Sequence, residues 1–114
     1  MLYGPLIVQG SDNIEVDQEL VLFLDDWRLN DNAQIDEASF RNMHDWSHNG
    51  RLGSWFTINR RLQPQFPIFG GSHLRLCLIN TANALILHLK LEGAQETVIA
   101  LDGYPSPFHW RKVA

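Results

Sequence analysis

Apolar positions in this chain recur in runs of strand length, and Gly, Asn, Asp and Pro separate the runs. LYGPLIV, Leu2 to Val8, reads as a short strand that Gly4 and Pro5 restrict to an edge or a bulge. ELVLFLDDW, Glu19 to Trp27, predicts a strong strand. The polar, turn-rich LNDNAQIDEASF comes next, and Asp36 to His44 has room for a helical turn. NGRLGS is a loop, WFTINR (Trp55 to Arg60) a strand, and RLQPQFPIFGG a Pro/Gly connection. HLRLCLIN (His73 to Asn80), ALILHLKLEG (Ala84 to Gly93) and ETVIALDG (Glu96 to Gly103) predict three successive strands. Their joins, TAN and GAQ, are short enough for antiparallel neighbours. The fold class expected is all-β: a sandwich with Greek-key connections, one domain over residues 1–114, with no internal repeat.

Side-chain parity refines this. In ALILHLKLE, Leu85, Leu87, Leu89 and Leu91 alternate with Ile86, His88, Lys90 and Glu92, giving one face to bury and one mostly solvated. In ELVLFLDD both faces are apolar: Leu20, Leu22 and Leu24 on one, Val21 and Phe23 on the other. Such a strand needs cover on both sides, and a single small sandwich supplies only one core. A second covering surface, such as another domain, is therefore expected.

Composition excludes several partners. With 114 residues, 45% apolar and 19% charged, the chain is ordinary for a globular domain with a modest core. A net charge of −4 without a basic run argues against nucleic acid. No apolar run approaches the roughly 20 residues of a membrane helix, so no membrane partner is expected. MLYGPLIVQG lacks the basic n-region of a signal peptide. The single cysteine, Cys77, forms no internal disulfide and reveals no compartment.

Cys77 invites a copper reading, because His73 and His88 lie on either side of it in sequence. A blue-copper site wants a thiolate, two imidazoles and usually an axial Met. Leu78, Ile79 and Asn80 follow Cys77, and neither Met1 nor Met43 does. The favoured reading is a small, buried hydrophobe sharing its face with Arg75 and Ile79. His44 and His48 are the remaining metal candidates. Their i, i+4 spacing in MHDWSHNG would set two imidazoles on one helix face, but a third ligand is missing. A hydrogen-bonded loop packed around Trp46 is the blander alternative. His73 and His109 sit beside turn residues and read as surface or capping groups. Asp25 and Asp26 are adjacent on a strand, point to opposite faces and so make no acid/base dyad. Capping the following turn suits them better. Ser39, Ser47, Ser54, Ser72 and Ser106 have no nucleophile-elbow context. Trp27, Trp46, Trp55 and Trp110 could stack on a sugar ring, though core tryptophans are commoner in a small β fold.

Taken in order, LYGPLIV, VLFLDDW, SHNGRLGSWFTIN, the Pro-rich link, LRLCLINTANALILHLKLEG and VIALDG resemble the second domain of a three-domain multicopper oxidase of the laccase and copper-resistance group. The resemblance runs from Leu2 to Pro105; each motif alone is common, and their order and spacing make it specific. It implies a cupredoxin-like Greek-key sandwich. In that family a type 1 copper oxidises substrate and a trinuclear cluster reduces oxygen to water. The HxH pairs and His-Cys-His run that hold the metals belong to domains one and three, and this chain has none of these motifs. The resemblance therefore implies a middle domain without copper or catalytic residues, partnered by its neighbouring cupredoxin domains. The parent family is often periplasmic or secreted. Two positions depart from the pattern: Arg60 stands where a TVNG-like turn has Gly, and Gly70-Gly71 where Pro-Gly precedes LRL. LYGPLIV opening the chain and YPSPFHWRKVA closing it suggest an incomplete middle domain. An unclosed sandwich of this kind is expected to form a homo-oligomer when expressed alone. The alternatives are a small ligand- or sugar-binding β-sandwich using exposed Trp, and a small metalloprotein built on His44, His48 and a distant histidine.

Overall fold

A computed structural model describes residues 3–8 and 14–106. Strands dominate the regular structure, as the all-β expectation requires. Strand β1 (Gln18–Trp27) lies at the centre of a three-stranded sheet, between β2 (Trp55–Ile58) and β3 (Leu74–Asn80). β2 runs antiparallel to β1, with Leu24 opposite Ile58 and Trp27 opposite Trp55. β3 runs parallel to β1, from Gln18 opposite Leu74 to Leu24 opposite Asn80. A hairpin of β4 (Ala100–Leu101) and β5 (Tyr104–Pro105) stands apart from that sheet.

Both faces of β1 carry apolar side chains, and a different part of the chain lies against each. Its register places Leu20, Leu22 and Leu24 on one side with Leu74, Leu76, Leu78, Phe56 and Ile58. Val21, Phe23 and Trp27 share the other side with Cys77, Ile79, Thr57 and Trp55. The connection from β2 to β3 crosses the leucine face, where Gln18 donates to the Pro67 carbonyl at 3.0 Å. On the opposite face Tyr3 lies beside Phe23, ring centroids 6.1 Å apart, and donates its hydroxyl to Asp25 at 2.5 Å.

Cover on both faces is partial. Among the described apolar residues only Leu24 is fully buried, at 3% exposure.

Two expected hairpins are absent. Ala84–Gly93 and most of Glu96–Gly103 join no ladder; only Ala100 and Leu101 do, and they pair with β5. The reason lies at the end of β3. Thr81 N donates to Leu24 O at 2.8 Å, so the chain continues along β1 instead of turning back on β3. Asn80 on the leucine face then reaches Leu85 O at 3.1 Å, and the chain leaves the sheet on that side. TAN thus leads the chain out of the sheet and is not a hairpin turn. Tyr3–Val8 also joins no ladder, and Leu2 lies outside the described residues. The helical turn is present but shifted, as a 3₁₀ turn over Glu37–Arg41 followed by α1 (Met43–Ser47).

β2 is shorter than Trp55 to Arg60 because the chain reverses at Asn59-Arg60. Both residues have positive φ, 50° and 64°, and Ile58 and Arg61 exchange backbone hydrogen bonds of 3.0 Å. Positive φ at both central positions is the signature of the type I′ turn, for which Asn-Gly is preferred. Arg60 therefore occupies a glycine position. Replacing Arg60 by Gly is expected to raise the unfolding free energy by about 0.5 kcal/mol, after the larger entropy of the unfolded glycine chain is subtracted. Urea denaturation measures it, and a lower midpoint for the variant would contradict this account of the turn. Asp102-Gly103 makes the same two-residue reversal between β4 and β5, with φ of 50° and 78°.

Candidate functional site

The densest polar arrangement sits where β1 ends. Asp25 and Asp26 are both buried, each 8% exposed, and they act on opposite faces as strand geometry demands. Neither caps the following turn. Asp25 accepts the Tyr3 hydroxyl, and the bond to this carboxylate, then burial, raise the Tyr3 pKa above its ordinary value. Asp26 accepts from Gly53 N, and its other oxygen lies 3.4 Å from Asn83 N. One carboxylate thereby ties the loop before β2 to the segment after β3. Gly50 completes this junction, since a Cβ there would meet Ala84 Cβ at 2.5 Å.

A second tier holds the helical segment. Arg28 pairs with Asp45 of α1 at 2.5 Å. Arg51 Nε donates to Ser39 Oγ at 2.7 Å, and its guanidinium lies 4.4 Å from the centre of the Phe40 ring. These groups position loops, and the carboxylates near them are engaged by backbone N–H groups or by arginine. The arrangement offers no free acid facing a free base.

His44 of α1 and His48, the residue that caps the helix C-terminus, lie side by side, with rings stacked 4.4 Å apart and 10° from parallel. Imidazole lone pairs lie in the ring plane, so two stacked rings aim their nitrogens side by side and not at one point. A metal needs both nitrogens converging at about 2 Å. His48 Nδ1 is also within 2.8 Å of Ser47 Oγ. The pair does not fit a copper ion, and among the described residues no three His, Cys, Asp or Glu side chains come together as a metal group. The blander alternative needs correction as well: Trp46 is 70% exposed, so no loop packs around it.

Cys77 is half-buried on β3, on the same side as Arg75, Ile79 and Glu19. Burial raises the thiol pKa, and the Glu19 carboxylate 3.9 Å from Sγ adds to the effect. Such a thiol stays protonated, the opposite of what metal ligation or nucleophilic work requires. His73 is exposed at the start of the β1–β3 pairing, where its backbone N–H donates to Asp17 at 2.7 Å. His109 and Trp110 lie outside the described residues.

None of the three described tryptophans is a fully buried core residue. Trp27 is half-buried and donates its indole N–H to Thr57 Oγ1 at 3.1 Å, whereas Trp55 is 46% exposed. Trp55, Phe56, Ile58, Leu62 and Gln63 line an open cleft of about 510 Å³ along the free edge of β2. A smaller one, about 310 Å³, lies between Tyr3, Gly4, Pro5, Phe23, Asn59 and Arg60.

Asn59 was not singled out by sequence pattern, yet it extends the sheet beyond β2. Its side chain accepts from Phe23 N at 2.8 Å and donates to Val21 O at 3.1 Å, taking the place of a strand residue beside β1. The available signal was its place at the end of the TIN strand, the turn position where Asn tolerates positive φ. Among the described residues no helix is long and apolar enough to cross a membrane. Comparison with protein-family models, with curated proteins and with solved structures finds no match.

Proposed function

We propose that the chain is a non-catalytic middle domain, or a piece of one, from a multicopper oxidase of the laccase and copper-resistance type. The observation that carries this reading is the ordered run of motifs from LYGPLIV to ALDG. The left-handed turn at Asn59-Arg60, where the family has Asn-Gly, supports it. So does the turn that leads into β3: Ser72 N donates to Phe69 O at 3.2 Å and Gly71 has a φ of 80°, which suits a Pro-Gly sequence. In the proposed fold, a cupredoxin-like Greek-key sandwich, the mixed sheet of β1, β2 and β3 is one layer and Leu85–Leu91 begins the other.

The role proposed is architectural. A sheet apolar on both faces bridges two neighbours, and its loops wall part of a substrate region lying between them. Copper belongs to those neighbours, which would supply substrate oxidation and the reduction of oxygen to water. DNA sequence on either side of the coding segment tests this: HxH pairs upstream and a His-Cys-His run downstream are expected, and flanks without either overturn it. The purified chain is also expected to give no intense blue charge-transfer band on addition of Cu(II). A band abolished by Cys77→Ser would show a thiolate copper site and refute the copper-free reading.

Exposure of Trp55 beside the apolar cleft favours one second reading, a ligand- or sugar-binding β module. A panel of glycans titrated against tryptophan fluorescence separates the two. Saturable quenching lost in Trp55→Ala supports the sugar module, and an unresponsive spectrum removes it.

A further inference from the structure

The backbone from Ile86 to Val98 has no hydrogen-bond partner among the described residues, although the segment up to Glu92 alternates apolar and polar side chains like a strand. Its leucine side is only partly covered. Leu85 and Leu87 are half-buried, while Leu89 is 55% and Leu91 43% exposed. Ile86, His88, Lys90 and Glu92 face outward, with Lys90 and Glu92 paired at 2.6 Å. A lone extended strand in this state leaves a row of N–H and C=O groups open to pairing with another chain.

We propose that a second copy of this chain fills that row, with Leu85–Leu91 of each protomer pairing antiparallel about a two-fold axis at His88. The strand is self-complementary in this register. Leu85 meets the partner's Leu91 and Leu87 meets the partner's Leu89, so all the leucines pair on one face. Outside, Ile86 meets the partner's Lys90, Ala84 meets the partner's Glu92, and no like charges oppose. A register centred one residue later sets His88 against the partner's Lys90 and leaves Leu85 opposite the partner's Gly93. It therefore loses leucine contacts.

The strand also keeps apolar side chains open to a partner: Ile86 is 81% exposed, Leu89 55% and Leu91 43%. A two-fold axis perpendicular to the paired strands keeps both leucine rows on the same side of the ribbon they form. The inference concerns the strand alone and does not depend on the family reading.

Disulfide trapping tests it. At a two-fold axis the two Cα atoms at position 88 lie about 4.5–5.5 Å apart, within the span of a disulfide. At position 90 they are four residues out of register, about 13 Å apart. Both His88→Cys and Lys90→Cys are made in a Cys77→Ser background, at exposed positions that leave the fold undisturbed. Oxidised glutathione is expected to convert most of the His88→Cys protein to a covalent dimer and little of the Lys90→Cys protein. Light scattering of the natural chain is expected to give twice 13.1 kDa. A monomer, or a dimer that crosslinks equally at both positions or not at position 88, overturns the proposal. Flanking HxH and His-Cys-His motifs could still be found in that case, so the two proposals fail separately.

Discussion

Gly53→Ala is expected to destabilise the protein by about 3 kcal/mol, at the upper end for overpacking of a fitted site. A Cβ at position 53 would lie 2.6 Å from Trp27 N, 2.8 Å from the Asp26 carbonyl carbon and 2.8 Å from Asp26 Oδ2. Two of these three atoms belong to the backbone of β1, which cannot retreat. Asp26 and Trp27 are in register with Phe56 and Trp55, so moving them separates β1 from β2. The third atom belongs to the carboxylate that accepts Gly53 N–H, so yielding there breaks the bond that ties this loop to the sheet. Urea unfolding followed by tryptophan fluorescence measures the effect. Gly4→Ala is the control, because a Cβ there meets nothing within 4 Å. Equal stability of the two variants would show that the loop before β2 does not rest on β1.

The sequence is legible wherever alternation and local chemistry coincide. β1 and β3 stand within one or two residues of their predicted ends, because their apolar runs pack on strands that are close at hand. Apolar residues on both sides of ELVLFLDD imply cover on both faces, and the structure supplies it in part, from Tyr3 on one side and the β2–β3 connection on the other. What alternation does not carry is the partner. ALILHLKLE has a cleaner period of two than β3, yet it joins no ladder among the described residues, because the path of the chain is set by Thr81 and Asn83. Their hydrogen bonds to Leu24 and Asp26 prolong the parallel pairing in place of a three-residue reversal. The same long-range logic governs the polar site. Asp25 and Asp26 look like turn caps from their neighbours, but their partners are Tyr3, Gly53 and Asn83, far away in sequence. The i, i+4 placement of His44 and His48 was readable because helix periodicity alone sets it. Their stacking was not, since it depends on side-chain rotation and on the contact between Ser47 Oγ and His48 Nδ1.

Leu24→Ala should cost about 3 kcal/mol, within the range for emptying a leucine site in a core. Leu24 is 3% exposed and is the point where the three strands meet: it stands opposite Ile58 of β2 and Asn80 of β3. Its carbonyl also receives Thr81 N at 2.8 Å and Thr81 Oγ1 at 3.1 Å, the bonds that prolong the parallel pairing past β3. A cavity at this position loosens both edges at once, and with the backbone on either side held by the ladders, little collapse can refill it. Leu78, on the same face but 50% exposed, provides the comparison. In a lone protomer Leu78→Ala should cost under about 1 kcal/mol, because the side chain loses little buried area. The two variants therefore report on different cores. Leu24 senses the packing that the protomer makes for itself, and Leu78 senses whatever covers the leucine face from outside. Denaturation at several protein concentrations separates these contributions. The Leu24→Ala loss should persist at the lowest concentration, and a Leu78→Ala loss that grows with concentration would mean that association buries this face. If Leu24→Ala costs no more than Leu78→Ala throughout, the meeting point of the three strands is not the core of this fold.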